Sequence, residues 1–113
     1  MRGGINETIY QKLKEDLINE FEKELNGCWG MYGNRDSCYY NLDRAFHEGY
    51  GIMLGFEIAV DCFREHRLWT KNDDEYLDRI HGIWYDYRKK YFSAKGMRDP
   101  LDKYNEERER HKI

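Results

Sequence analysis

Carboxylates and histidines on two predicted helices are the residues whose spacing best suits a chemical site. Glu57 and Asp61 are four residues apart and would share one face of a helix, and Asp78 and His81 would share a face of the next helix. Helical bundles build metal sites from carboxylates and histidines that project inward from facing helices. These four residues therefore predict, as one alternative, a metal-dependent helical hydrolase or oxidoreductase.

The same polar residues also fit the solvated strip of an otherwise apolar helix. Di-iron bundles carry two Glu-x-x-His motifs, whereas this chain has a single Asp-x-x-His, at Asp78 and His81. A further pair, Asp43 and His47, would lie roughly 15–20 Å from Glu57 along a helix. That pair cannot complete the same metal site, and we expect no cofactor.

The three cysteines indicate free thiols rather than disulfides or a structural zinc site. Cys28, Cys38 and Cys62 are odd in number and show no Cys-x-x-Cys spacing. The first residues lack the apolar stretch of a signal peptide. The low-charge run at 49–56 is far shorter than the roughly 20 residues that a membrane span needs. We therefore expect a cytoplasmic protein that does not associate with membranes.

Aromatic residues are more numerous than the core of a 113-residue chain requires, with ten Tyr, three Trp and five Phe. Tyr and Trp are enriched at protein interfaces because they bury a large area and keep one polar atom solvated. Residues 85–92 interleave aromatic with basic side chains as nucleic-acid surfaces do, but the net charge of −3 leaves nucleic-acid association as a second alternative only. The candidate protein-binding surface comprises Trp29, Tyr32, Tyr39, Tyr40, Trp69, Tyr85 and Phe92.

Helices must position these residues, because apolar side chains recur at three- and four-residue steps along most of the chain. The first predicted helix begins at Asn6 or Thr8, where Thr8 and Gln11 have the spacing of a capping box, and Asn26-Gly27 is its expected stop. The apolar connector that follows should fold back on the core. The stripe of the first helix consists of Tyr10, Leu13, Leu17, Ile18, Phe21 and Leu25.

The second helix, predicted at about 37–67, is apolar on most sides and is therefore expected to be the most buried. Its interior glycines would each cost about 0.5–1 kcal/mol relative to alanine. A stripe of small residues could offset that cost as a seam of close helix packing, and a bulge near Gly49 is the competing interpretation. The stripe consists of Gly51, Gly55, Ala59 and Cys62.

Capping residues define two further helices. Asn72 and Glu75 have the spacing of a capping box at the start of a third helix, and Gly96 is a favourable stop. Asp99-Pro100 supplies a cap and a first-turn proline for a short fourth helix. Beyond that point the chain is almost wholly charged.

The sequence thus predicts an all-α fold, with one helical domain at 1–96 and a charged C-terminal helix or tail at 97–113. We expect a compact three-helix core with the helix at about 37–67 innermost. Because no catalytic arrangement stands out, the expected function is protein binding. The chain would be a small regulatory, inhibitory or adaptor module, a class that includes the inhibitors of host proteins that phages and mobile elements encode. Its partner would be another protein or a second copy of itself.

Overall fold

Four α-helices make up the architecture of residues 2–111. The computed structural model describes residues 2–111 and, within that range, the side chains of residues 9–110. The helices are α1 (Arg2–Cys28), α2 (Leu42–Glu65), α3 (Asp74–Ala94) and α4 (Pro100–His111). A π-helical turn at Trp29–Gly33 extends α1, and a 3₁₀ turn at Lys71–Asp73 leads into α3. The all-α prediction is confirmed, since residues 2–111 contain no strand; none of their helices has the length and apolar character needed to cross a bilayer.

The first helix is longer than its capping residues predicted. It begins at Arg2, upstream of the predicted capping box, so the expected start is wrong; the side chain of Thr8 itself lies outside the described side chains. The expected stop is also wrong, because Gly27 keeps helical backbone instead of taking the left-handed conformation that ends a helix. The π-helical turn places Trp29 and Tyr32 against the core, which confirms that the connector folds back.

The central helix starts later than residue 37, the predicted position. Ser37 instead belongs to a turn, where its Oγ donates to the Met31 carbonyl oxygen at 2.6 Å. Asn41 supplies the cap of α2, because its Oδ1 accepts from Arg44 N at 3.1 Å. The helix therefore spans 42–65 rather than about 37–67.

The core forms where α1, α2 and α3 contact one another. At its centre, Phe56 of α2 meets Phe21 of α1 edge to face, with 5.5 Å between ring centroids. Burying a large apolar side chain fully contributes roughly 1.5–3 kcal/mol, so a small set of residues accounts for much of the stability. The buried residues of the core cluster are Ile18, Leu25, Ala45, Met53, Phe56, Val60, Ile80 and Tyr87.

The described chain is flat and less compact than expected, with principal-axis extents of 56 × 47 × 17 Å. Its radius of gyration is 17.0 Å, against about 13 Å for a compact domain of this length. Side chains near the start of α1 and along α4 are exposed, as Ile9, Leu13 and Tyr104 show. These helix ends extend beyond the region where α1, α2 and α3 pack together.

The small-residue stripe of α2 is not the packing seam that the sequence predicted. A Cβ atom built on Gly51 would meet no atom within 4 Å, and Gly55 has an ordinary van der Waals neighbour at 3.6 Å. Cys62 is exposed. The close approach occurs at Gly49, where a Cβ atom would lie 2.8 Å from Cζ3 of Trp84 on α3. The helix passes through Gly49 without a break, so the predicted bulge is also wrong.

A capping box precedes α3, at a different place from the predicted one. It consists of Thr70 and Asp73 rather than Asn72 and Glu75. Thr70 N donates to Asp73 Oδ2 at 2.8 Å, and the Thr70 side chain accepts from the Asp73 backbone in return. Asp73 also receives a bond from Lys14 of α1, a long-range contact that no local pattern reveals.

The later helix ends agree with their local patterns. Gly96 takes a φ of +66° directly after α3, and Met97 N donates back into that helix at 2.9 Å, as in a Schellman motif. Asp99 Oδ1 accepts from Leu101 N at 2.9 Å, and Pro100 occupies the first position of α4. Both predicted boundaries are confirmed.

Candidate protein-binding groove

The outer side of α2 leaves a line of large apolar side chains exposed. Tyr50, Leu54 and Ile58, hereafter the α2 stripe, recur at four-residue steps and so share one face of the helix. They are 49%, 46% and 63% exposed, respectively. The central helix was expected to be the most buried, and it supplies four of the eight buried residues of the core cluster. It is nevertheless open on this side, because α1, the π-helical turn and α3 pack on its opposite face.

A groove lies beside the stripe, between α2, α3 and the start of α4. Its volume is about 590 Å³, within the range of roughly 300–1,000 Å³ found for ligand pockets. Its walls are largely apolar, with Trp84 of α3 and Leu101 of α4 facing α2. The lining residues are Tyr50, Met53, Leu54, Glu57, His81, Gly82, Trp84, Tyr85, Arg88 and Leu101.

Two contacts hold the start of α4 against α3 and so form the third wall of the groove. Arg88 makes a two-pronged ion pair with Asp99, with 3.0 Å from Nε to Oδ2 and 2.6 Å from Nη2 to Oδ1. Tyr85 donates from its hydroxyl to Asp102 Oδ1 at 2.8 Å. The hydrogen bonds from Arg88 lower the pKa of the Asp99 carboxyl and outweigh the opposite effect of burial.

We expect Asp99→Asn to release α4 from this wall. Asn still caps a helix N-terminus, but the change removes the charge partner of Arg88, and a hydrogen bond to a charged group is worth about 1.5–3 kcal/mol. Amide protection factors of residues 101–105 should therefore fall roughly tenfold to a hundredfold. Protection around Phe56 should change little and serves as the internal control. Unchanged protection in α4 would contradict this role of the pair.

The same ion pair gives the docking of α4 a pH dependence of defined sign. Because the pKa of Asp99 is lower in the folded chain, the pair stabilises fully above the unfolded-state pKa of about 3.9 and loses its effect as the pH falls through the folded-state pKa. Protection factors of residues 101–105 should therefore drop in the parent below about pH 4. The Asp99→Asn variant should show no such drop.

Carboxylates border one end of the groove, at the C-terminal half of α2 and the first half of α3. Glu57 Oε1 lies 3.6 Å from His81 Nε2 across the two helices. Asp61 and Asp78 follow, one turn nearer to the connection between α2 and α3. Asp61 is 3.8 Å from Arg64, and both of these side chains are largely exposed. Glu57 is part of the groove lining, and Asp61 and Asp78 lie one helical turn beyond it. The groove is therefore apolar along its walls, with carboxylates next to this end.

These carboxylates include the predicted metal ligands, and the structure pairs two of the four. Glu57 and His81 face each other, whereas the ion pair of Asp61 is with Arg64. Among side chains 9–110, no group of three or more His, Cys, Asp or Glu residues is arranged to hold a metal ion. A zinc site needs three or four protein ligands. The structure brings two of the four predicted ligands together, which is fewer than such a site requires.

The predicted aromatic surface is divided between the core and separate exposed positions. Four of its members are partly buried against the core or against neighbouring rings, namely Trp29, Tyr32, Trp69 and Phe92. Three are exposed, namely Tyr39, Tyr40 and Tyr85. Of these three, Tyr85 lines the groove and Tyr40 lines a different, shallower cavity beside Trp29. Tyr85 is therefore the one member that the structure brings to the groove.

Sequence reasoning missed the remaining apolar residues of the groove. Leu54 lies on the central helix, which was expected to be the most buried, and Leu101 lies in the predicted charged C-terminal helix or tail, so neither was expected to form a docking groove. One sequence pattern could have indicated an exposed apolar side of α2. The apolar surface of α2 extends round most of the helix, and two neighbouring helices with a single apolar stripe each cannot cover it all.

A buried polar cluster joins α1, α2 and α3 but has no features of a reactive site. The Tyr87 hydroxyl donates to the Ala45 carbonyl oxygen and lies 3.4 Å from Cys28 Sγ. Burial raises the pKa of the Cys28 thiol and that of the Tyr87 hydroxyl. A buried thiol with a raised pKa is a poor nucleophile, so this cluster contributes packing. All three cysteines are free, as predicted.

Comparison with known proteins assigns no function to these features. No protein-family model matches the chain, and no curated protein and no solved structure matches it either. Function therefore has to be inferred from the groove, its acidic end and the contacts that hold α4.

Proposed function

We propose that this protein is a small helical protein-binding module that docks its partner on the α2 stripe and the groove beside it. The observation that carries the proposal is the line of half-exposed Tyr50, Leu54 and Ile58 along an apolar groove. Contiguous exposed apolar patches commonly mark interaction sites. A regulatory, inhibitory or adaptor role, including inhibition of a host protein by a phage-encoded factor, suits such a module. The free thiols support the reducing cytoplasm as its setting.

Apolar burial would give this surface a favourable energy of association. Fully burying an aliphatic or aromatic side chain contributes roughly 1.5–3 kcal/mol, and about half of each residue of the α2 stripe is still exposed. The three residues together could therefore contribute about 2–4 kcal/mol on docking. Because association itself is costly, the groove walls must contribute as well, and binding should be reversible, as regulation requires.

Two matched leucine variants test this proposal. Leu54→Glu places a charge in the groove, whereas Leu13→Glu makes the same change on α1, where Leu13 is 51% exposed. Each change affects an exposed side chain, so the circular dichroism and thermal unfolding of both variants should stay close to those of the parent. Proteins captured from the source cells by the parent should be lost with Leu54→Glu and kept with Leu13→Glu.

The opposite capture pattern would contradict the proposal. If every captured protein is kept by Leu54→Glu, or is lost with Leu13→Glu alone, docking does not use the groove. Light scattering separates a foreign partner from a second copy of the chain. A parental dimer that becomes a monomer with Leu54→Glu would identify self-association through the α2 stripe.

A further inference from the structure

The carboxylates at the end of the groove form a row next to the α2 stripe. Glu57, Asp61 and Glu65 recur at four-residue steps, one position before each corresponding place of the stripe, and Arg64 is the cation beside them on α2. With histidine counted as neutral at pH 7, three carboxylates against one guanidinium leave a net charge of −2 on this part of α2. Asp78 of α3 adds a further carboxylate at the same end. A partner that covers the apolar walls therefore meets negative charge beside them.

The size of the groove suits a single helix better than a globular surface. Ten residues line it, whereas a standard protein–protein interface uses about 20–30 residues a side. The stripe from Tyr50 to Ile58 spans about 12 Å along α2, which matches roughly two turns of a docked helix. Helices that bind in grooves use apolar anchors at i, i+3 or i+4, and i+7.

A second copy of this chain would bring like charges together at the stripe. A two-fold interface uses the same patch on both copies. With parallel α2 helices, Asp61 and Glu65 would meet their own counterparts, which is unfavourable. With antiparallel helices they would meet the end where Asp43 already pairs with Lys95 and Arg44 with Glu48, so that end supplies little complementary charge. Lysine or arginine on a different partner supplies the complementary charge.

We infer that the groove binds a basic amphipathic helix of a partner protein. Its apolar anchors pack on the α2 stripe and on Trp84, and its Lys or Arg side chains lie over Glu57, Asp61 and Asp78. This inference rests on the proposed function, because it names the occupant of the same groove. Attraction between exposed charges is screened by salt, so the binding must weaken as ionic strength rises.

A library of helical peptides measures the charge preference directly. Displayed peptides of about 15 residues, or roughly four helical turns, carry leucine at i, i+3 and i+7. Each position that flanks a leucine carries Lys, Glu or Gln. Peptides are selected on the parent chain and depleted on Leu54→Glu, which removes binders that do not use the groove. We expect Lys to be enriched about fivefold over Glu beside the leucines, as one exposed charge pair can provide.

Two charge-reversal variants then test which carboxylate of the protein causes the preference for lysine. The selected Lys-rich peptide should bind Asp61→Lys about threefold to tenfold more weakly than the parent. Asp16→Lys makes the same change at a similarly exposed carboxylate of α1, a helix that contributes no residue to the groove lining, and should leave binding unchanged. Raising the salt from about 0.05 M to about 0.5 M should weaken binding to the parent and narrow the difference from Asp61→Lys.

The outcomes separate this inference from the function on which it rests. Binders that depend on Leu54 but prefer Glu, or show no charge preference, would overturn the basic helix and leave the docking groove standing. A library without any Leu54-dependent binder would overturn the basic helix. The proposed docking on the groove would be contradicted only if Leu54→Glu also keeps every captured protein. A parental dimer that Leu54→Glu disrupts would replace the basic helix with a second copy.

Discussion

Lys14→Met will lower the free energy of unfolding by about 3–5 kcal/mol, because it breaks a buried ion pair. Lys14 Nζ lies 2.5 Å from Asp73 Oδ2 and 2.8 Å from the Leu68 carbonyl oxygen, and both ionic side chains are 4% exposed. Methionine keeps an unbranched apolar side chain in this position but leaves the Asp73 carboxylate buried without its cation. At about 4 °C per kcal/mol for a domain of this length, Tm should fall by about 12–20 °C.

The loss of unfolding free energy in Lys14→Met should be smaller at acidic pH, because the Asp73 carboxylate becomes protonated there. Burial raises the pKa of the Asp73 carboxyl, but hydrogen bonds from Lys14 and Thr70 outweigh it and hold the net pKa below the usual value. In the parent, this stabilisation is complete above the unfolded-state pKa of about 3.9 and disappears as the pH falls through the folded-state pKa. Protonation removes the unpaired buried charge in Lys14→Met, so urea unfolding should show a smaller difference from the parent near pH 4 than at pH 7.

The double variant Lys14→Met/Asp73→Asn is the matched control. It removes both charges, and the side-chain oxygen of Asn can still accept from Thr70 N. Eliminating a buried pair costs far less than breaking it, so the double variant should recover most of the lost stability. A loss below about 1 kcal/mol in Lys14→Met would match an exposed pair and contradict the buried one.

Lys14 also marks a limit of what the sequence could predict. Helical periodicity assigned Leu13 to the apolar stripe of the first helix, yet the structure exposes Leu13 and buries Lys14. Lys14 lies on the same face of α1 as Ile18, Phe21 and Leu25, which follow it at i+4, i+7 and i+11 and pack in or against the core. Its partner, Asp73, belongs to another part of the chain. The periodicity around Lys14 therefore indicates a core-facing position, whereas the carboxylate that allows a lysine to be buried there is not visible in the local sequence.

Features completed by nearby residues could be predicted from the sequence, whereas features that depend on distant residues could not. The stop at Gly96 and the cap at Asp99 were predictable because each is completed by atoms within a few residues. Phe56 belongs to the core, in keeping with the expectation that the central helix is the most buried. Leu54, two residues before it, is part of the groove because no neighbouring helix covers that side of α2. The open side depends on how many helices the chain can pack, and that is a property of the whole fold.

Gly49→Leu will lower the free energy of unfolding by about 3 kcal/mol, at the upper end of the usual range for overpacking. The first added atom alone would lie 2.8 Å from Trp84 Cζ3 and 3.1 Å from Tyr87 Cζ. Tyr87 is buried, and its hydroxyl is bonded to the Ala45 carbonyl oxygen, so it cannot move aside at low cost. The indole of Trp84 must therefore turn outward, away from its place between α2 and α3.

Gly51→Leu is the control on the same helix and should have the opposite sign. A Cβ atom at Gly51 meets nothing within 4 Å, so leucine there gains helix propensity of up to about 1 kcal/mol without a clash. Urea unfolding of the two variants should give stability changes on either side of the parent. Because Trp84 also lines the groove, the milder Gly49→Ala should push its ring into the docking site and weaken binding of the selected peptide. Parental stability and binding in Gly49→Ala would show that Trp84 has room to move and that Gly49 does not set the depth of the groove.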